Sequence, residues 1–111
     1  MKTHAVTLLM PEAQKEVAVR QDQHIWDAAK EDGIELPSIC HQGRCLTCAG
    51  RLEAEGDFDS SDATHYFTED REAGFILLCT AKPRSSLRIR THQQHEMRKH
   101  RLAHGLPAPY S

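Results

Sequence analysis

The alternation of apolar and polar positions divides the chain into short extended segments, one clear helix and one stretch with no period. Val6 and Leu8 alternate with Thr7, and Val17 and Val19 alternate with Ala18. These two period-two runs, separated by residues 10–15, predict a β-hairpin. Asp22 is placed to cap the next segment, where Ile25, Ala28 and Ala29 share one face at i, i+3 and i+4 and Gly33 supplies a stop, so one amphipathic helix is expected. Pro37 prevents that helix from resuming and delivers an extended approach to Cys40. Residues 40–48, CHQGRCLTC, follow neither period, and Gly43 allows a tight loop there. Residues 49–54 predict a strand and 55–64 a polar surface loop. Residues 75–78 form an apolar run ending at Cys79, and Leu87 and Ile89 alternate with Arg88 and Arg90 as a final strand. A second helix is expected over 93–104, ended by Gly105 and barred from resuming by Pro107 and Pro109. Its apolar content, Met97 and Leu102 with Leu106 beyond, supports a narrow seam on the body or a frayed end. Strands, one main helix and a long loop imply an α+β domain with a mixed sheet.

With 111 residues there is room for one hydrophobic core, so one domain over 1–96 and a C-terminal extension over 97–111 are expected. Only six residues are Trp, Tyr or Phe, and a core that small gains from an embedded metal centre. No run of about 18 apolar residues occurs and the first residues lack the apolar core of a signal peptide, so a cytoplasmic protein without a membrane span is expected. In that compartment four cysteines read as metal ligands or reactive thiols rather than as a disulfide framework. The formal charge of −2 is uneven: residues 92–111 carry +2 and the preceding part −4. An acidic body without a basic, aromatic-interleaved stripe argues against nucleic-acid binding.

The cysteines are spaced C-x4-C-x2-C, with Cys40, Cys45 and Cys48 on one loop and Cys79 following after thirty residues. This is the plant-type spacing of a 2Fe-2S cluster, in which four thiolates ligate two sulfide-bridged irons. Three ligands on one loop let backbone N–H groups turn towards the sulfurs, which matters because the cluster and its thiolates carry a formal charge of roughly −2 or −3. Structural zinc favours paired short-spaced ligands, and Cys79 has no such neighbour. A thioredoxin-like reading of Cys45 to Cys48 would leave Cys40 and Cys79 unexplained. A coordinatively closed cluster offers no substrate site, so an electron-transfer protein rather than an enzyme is expected.

The run ELPSIC-HQGRC-LTCAG, the GFILLCTAKPRS around Cys79, the following RIRTH and the preceding IWDAAKEDGIELP resemble the plant and cyanobacterial photosynthetic-type ferredoxins over residues 5–96. The resemblance implies a β-grasp fold, one-electron transfer at a potential on the order of −400 mV, and oxidoreductase partners such as ferredoxin-NADP reductase, the chain itself being monomeric. It also singles out a cluster loop, His41, Gln42, Gly43, Arg44, Leu46 and Thr47, and a partner-binding set, Asp59, Asp62, Tyr66, Phe67, Glu69, Asp70, Glu72 and Gln94. One of Tyr66 and Phe67 corresponds to an aromatic residue beside the cluster in the family. The chain departs from the pattern at His41, Gln42 and Arg44. It also has Leu46 where the family has a serine and Gln94 where it has a glutamate. Loss of the serine hydroxyl removes a donor and by itself favours a lower potential. Arg71 dilutes the family's acidic helix, which weakens steering towards a basic partner. His41 adds no ligand, because four cysteines complete the set, and a Rieske-type site is not expected. His100 and His104, one helical turn apart, have the spacing of a divalent-metal or pH-sensing pair, with solvated surface as the ordinary alternative. The extension resembles that of a divergent subgroup. It suggests a second reading, a redox- or iron-responsive regulatory ferredoxin acting through its tail.

Overall fold

A computed structural model describes residues 2–38 and 46–109. The hairpin forms as expected, β1 (Thr3–Leu9) pairing antiparallel with β2 (Gln14–Arg20) in a register that sets Val6 opposite Val17. The strand β3 (Ala49–Leu52) is shorter than the expected 49–54. Within the expected polar loop lies the short strand β4 (Phe58–Asp59). The helix α2 (Thr68–Glu72) follows, then β5 (Phe75–Leu77). The strand β6 (Lys82–Pro83) pairs with β4 as a small second sheet, and β7 (Leu87–Arg90) completes the main sheet.

The main sheet has the order β2-β1-β7-β3-β5. Only β1 and β7 run parallel, so the sheet is mixed. The helix α1 (Ile25–Glu31) packs Ile25, Ala28 and Ala29 against Val6, Leu8, Val17, Val19, Leu87 and Ile89, all buried in one core. This strand order with a helix packed across it is the β-grasp arrangement. Burying one face of each strand sets the registers, because a one-residue slip would turn the valines of the hairpin to solvent.

The start of α1 differs from expectation. Its N-cap is His24, which makes no side-chain cap bond, while Asp22 turns instead to Arg20 at 3.2 Å. A side-chain cap is unnecessary because tertiary partners take the first helical donors: Ile25 N donates to Ala81 O and Trp26 N to Leu78 O, both at 2.9 Å. Gly33 and Gly105, the two expected helix stops, both have positive φ, at 76° and 67°.

The C-terminal segment is docked. The helix α3 (Gln94–Ala103) buries Met97 and Arg101 completely, and the His100 ring packs at a tilt against Phe75 of β5, 5.2 Å between ring centroids. No helix among the described residues is long and apolar enough to cross a membrane.

Candidate metal centre

Two of the four cysteines lie within the described residues, and the sheet brings them together. Cys48 sits in the turn entering β3, closed by Ala49 N donating to Leu46 O at 3.0 Å. Cys79 sits in the turn leaving β5, closed by Ala81 N donating to Leu77 O at 3.0 Å. Because β3 and β5 are antiparallel neighbours with Ala49 opposite Leu77, the two turns lie side by side, and Leu78 N donates to Cys48 O at 3.3 Å. The two Sγ atoms are 3.1 Å apart, in residues only 1% and 3% exposed. That is well beyond a disulfide bond of about 2.05 Å, and the two are not joined as one. It is within the span of a single metal ion, since two metal–sulfur bonds of roughly 2.3 Å reach up to about 4.6 Å.

The helix α1 holds this site from outside. Its first two N–H groups grip the carbonyls of Leu78 and Ala81, on either side of Cys79. The indole Nε1 of Trp26 donates to Leu36 O at 2.9 Å and so fixes the segment leading towards position 40. Cys40 and Cys45 of the expected ligand set, and His41, Gln42, Gly43 and Arg44 of the expected cluster loop, lie outside the described residues. Leu46 is fully buried and Thr47 nearly so, both in the turn that carries Cys48.

The donor set fits an iron–sulfur cluster in a second respect. Three hydroxyls, those of Ser38, Thr47 and Thr80, are buried with no hydrogen-bond partner among the described residues. Each lies within two positions of a cysteine of the expected ligand set, respectively Cys40, Cys48 and Cys79. Buried polar groups are normally satisfied, and thiolates with inorganic sulfide are acceptors for such donors. Among the described residues no group of three or more His, Cys, Asp or Glu side chains could hold a further metal ion. The His100 and His104 rings pack against each other at a tilt, with centroids 4.4 Å apart, and His104 Nδ1 lies 2.9 Å from His100 O.

The expected partner-binding residues do not share one surface. Asp70 is fully buried and cannot meet a partner, a correction to the sequence reading. Arg101 Nε donates to both of its oxygens at 2.9 Å, and Phe67 N donates to Oδ2 at 3.0 Å. His100 Nε2 lies 3.1 Å from Oδ1, close enough for ion pairing but off the direction of a hydrogen bond. Asp59 pairs with Arg84 at 3.0 Å, and Asp62 with His24 at 2.8 Å and Lys82 at 3.0 Å. The Ser61 hydroxyl and backbone N–H, with the Arg84 guanidinium, hold the Asp59 carboxyl well below the usual carboxylate range. Asp62 is lowered by its hydrogen bonds from His24 and Lys82. The Tyr66 hydroxyl donates to Phe75 O, and burial pushes its pKa up. Phe67 lies under the Arg101 guanidinium, 4.8 Å from its ring centroid. Glu69 and Glu72 are exposed, and Gln94 opens α3 half-buried. Arg101 escaped the sequence reading because an arginine in a basic, His-rich segment has the signature of solvated surface.

The 2Fe-2S iron-sulfur cluster binding domain family matches residues 10–84. The chain belongs to the plant-type 2Fe-2S ferredoxins. The heterocyst ferredoxin of Microchaete diplosiphon is 38% identical over 96 residues, covering 85% of this chain and 96% of that one. The heterocyst ferredoxin of Nostoc sp. is 42% identical over 78 residues, 70% of this chain and 78% of that one. Among solved structures, pectocin M2 superposes with a TM-score of 0.73 at 27% identity, over 93% of this chain and 41% of that larger one. The Amycolatopsis cytochrome P450 reductase GcoB gives 0.70 at 28% identity, over 79% of this chain and 26% of that one. This ferredoxin is accordingly an electron-transfer protein with a 2Fe-2S cluster, not an enzyme. When bound, the cluster supplies a reversible one-electron couple. The ferredoxin's own contribution would be the hydrogen-bonded turns that carry Cys48 and Cys79, with α1 holding the second of them.

Proposed function

We propose that Cys40, Cys45, Cys48 and Cys79 hold the cluster, Cys48 and Cys79 sharing one iron, and that the chain is a cytoplasmic, monomeric carrier. On this reading it delivers low-potential electrons to oxidoreductases such as ferredoxin-NADP reductase or other ferredoxin-dependent enzymes. The observation that carries the reading is the 3.1 Å approach of two buried sulfurs from turns thirty residues apart. Glu69 and Glu72 are the acids of the expected set that are exposed and make no ion pair among the described residues, so they are the ones available to steer a basic partner. Anaerobic reconstitution should yield two irons and two sulfides per chain, with a visible charge-transfer spectrum and an EPR signal after dithionite reduction. Replacing any one of the four cysteines with alanine should abolish both signals. A folded protein that takes up neither iron nor sulfide would rule the reading out.

The regulatory alternative, acting through the tail, has less support from the geometry, because Arg101 is committed to Asp70 inside the protein. The two are separated by assay. A carrier passes electrons from reduced ferredoxin-NADP reductase to a soluble acceptor with turnover. A regulator shows a partner affinity that depends on cluster state, without turnover.

A further inference from the structure

The hydroxyls of Ser38, Thr47 and Thr80, buried and without a partner among the described residues, belong to residues within two positions of a cysteine in the chain. Thr80 is the most informative. It is 3% exposed, its backbone N–H is taken by Leu77 O at 3.3 Å, and its turn is locked by the bonds from Ala81 N to Leu77 O and from Ile25 N to Ala81 O. Its hydroxyl is therefore the donor left unspent. Valine would fill the same volume without burying an unsatisfied group, so a threonine here is costly unless something accepts its proton. Across the site, position 46 is a fully buried leucine that can donate nothing.

Taking the cluster assignment above as given, we infer that Thr80 is a potential-setting residue, its hydroxyl donating to an inorganic sulfide of the bound cluster. A donor aimed at sulfur favours the more negative, reduced state. It therefore raises the potential and opposes the effect of Leu46. No atom of the described residues accepts from this hydroxyl, the Cys48 and Cys79 sulfurs included, which leaves the sulfide of the cluster as its acceptor.

The test is the midpoint potential of reconstituted Thr80→Val, Thr80→Ser and wild-type protein, with EPR of the reduced forms. In Thr80→Val the reduced-to-oxidised ratio at a fixed ambient potential should fall about three- to tenfold, roughly 30 to 60 mV for a one-electron couple. Thr80→Ser, which keeps the hydroxyl, should return to the wild-type value. An unchanged potential in Thr80→Val, or equal shifts in the valine and serine variants, overturns the inference, because packing and not the donor would then be responsible. If Thr80→Val does not retain a cluster, Thr80→Ala is read against Thr80→Ser: a lower potential in alanine alone supports the donor, and equal values overturn it. A wild-type protein that binds no iron and sulfide overturns the cluster assignment, whereas a loaded protein indifferent to Thr80→Val overturns only this inference.

Discussion

Asp59, Asp62, Glu69, Asp70 and Glu72 are similar letters in an acidic stretch, yet their environments share little. Asp70 faces α3 and binds Arg101, Asp59 accepts from Ser61 and Arg84, and Glu69 and Glu72 stay in solvent. Ser61 is a local partner of Asp59, but the arginines that pair with Asp59 and Asp70, Arg84 and Arg101, are 25 and 31 residues away and are invisible to local pattern. Asp59 makes the consequence measurable. Its folded-state pKa is depressed, so its contribution is fully present above the unfolded value of about 3.9 and is lost as pH falls through the folded one. The stability gap between wild type and Asp59→Asn, read from denaturant unfolding, should be constant from neutrality to about pH 5 and close below about pH 4. A gap that is the same at pH 7 and pH 3 would show that the carboxylate's charge plays no part.

Among the elements, α1 and the hairpin were legible because their periodicity is local, whereas β4, β6 and the docking of α3 were not. Strands of two residues carry no measurable period, and β4 and β6 exist because each finds the other. The helix α3 was legible as a helix, with the expected extent to within a residue at each end. Beside Met97 and His100, its attachment rests on Arg101: the guanidinium also donates to His65 O at 3.0 Å and Pro107 O at 2.8 Å, so it ties together the approach to α2, α2 itself and residue 107. A fully satisfied buried pair of this kind is severely destabilising to break, since the remaining charge stays buried. Arg101→Ala should cost about 3–5 kcal/mol in denaturant unfolding, against less than about 0.5 kcal/mol for exposed Lys99→Ala. Hydrogen exchange should locate the loss in α2 and α3. Removing residues 97–111 outright would strand Asp70 in the interior, so truncation probes folding before it probes partner choice.

At the scale of the molecule, the sheet order places the start of β3 beside the end of β5 and so delivers Cys48 to Cys79. The hairpin contributes Val6, Leu8, Val17 and Val19 to the one core, but β1 and β2 pair with each other at the edge of the sheet order away from β5 and take no hydrogen bond from those turns. Chelating the iron should therefore release amide protection first in the turns around 46–48 and 78–81, while β1 and β2 keep theirs. Simultaneous loss across all strands would mean that the fold depends on the metal as a whole. The sequence by itself determined the chemistry: the cysteine spacing, the hairpin, the main helix and the family likeness are all written in short-range pattern, where residue type and separation suffice. Only the tertiary structure decided which acids are buried, where Arg101 goes, that backbone carbonyls replace a cap for α1, and that three buried hydroxyls next to cysteines in the chain lack partners among the described residues. Those outcomes depend on contacts between segments distant in the chain, and the free energy of a charge or a hydroxyl is set by the atoms that surround it rather than by its neighbours in sequence.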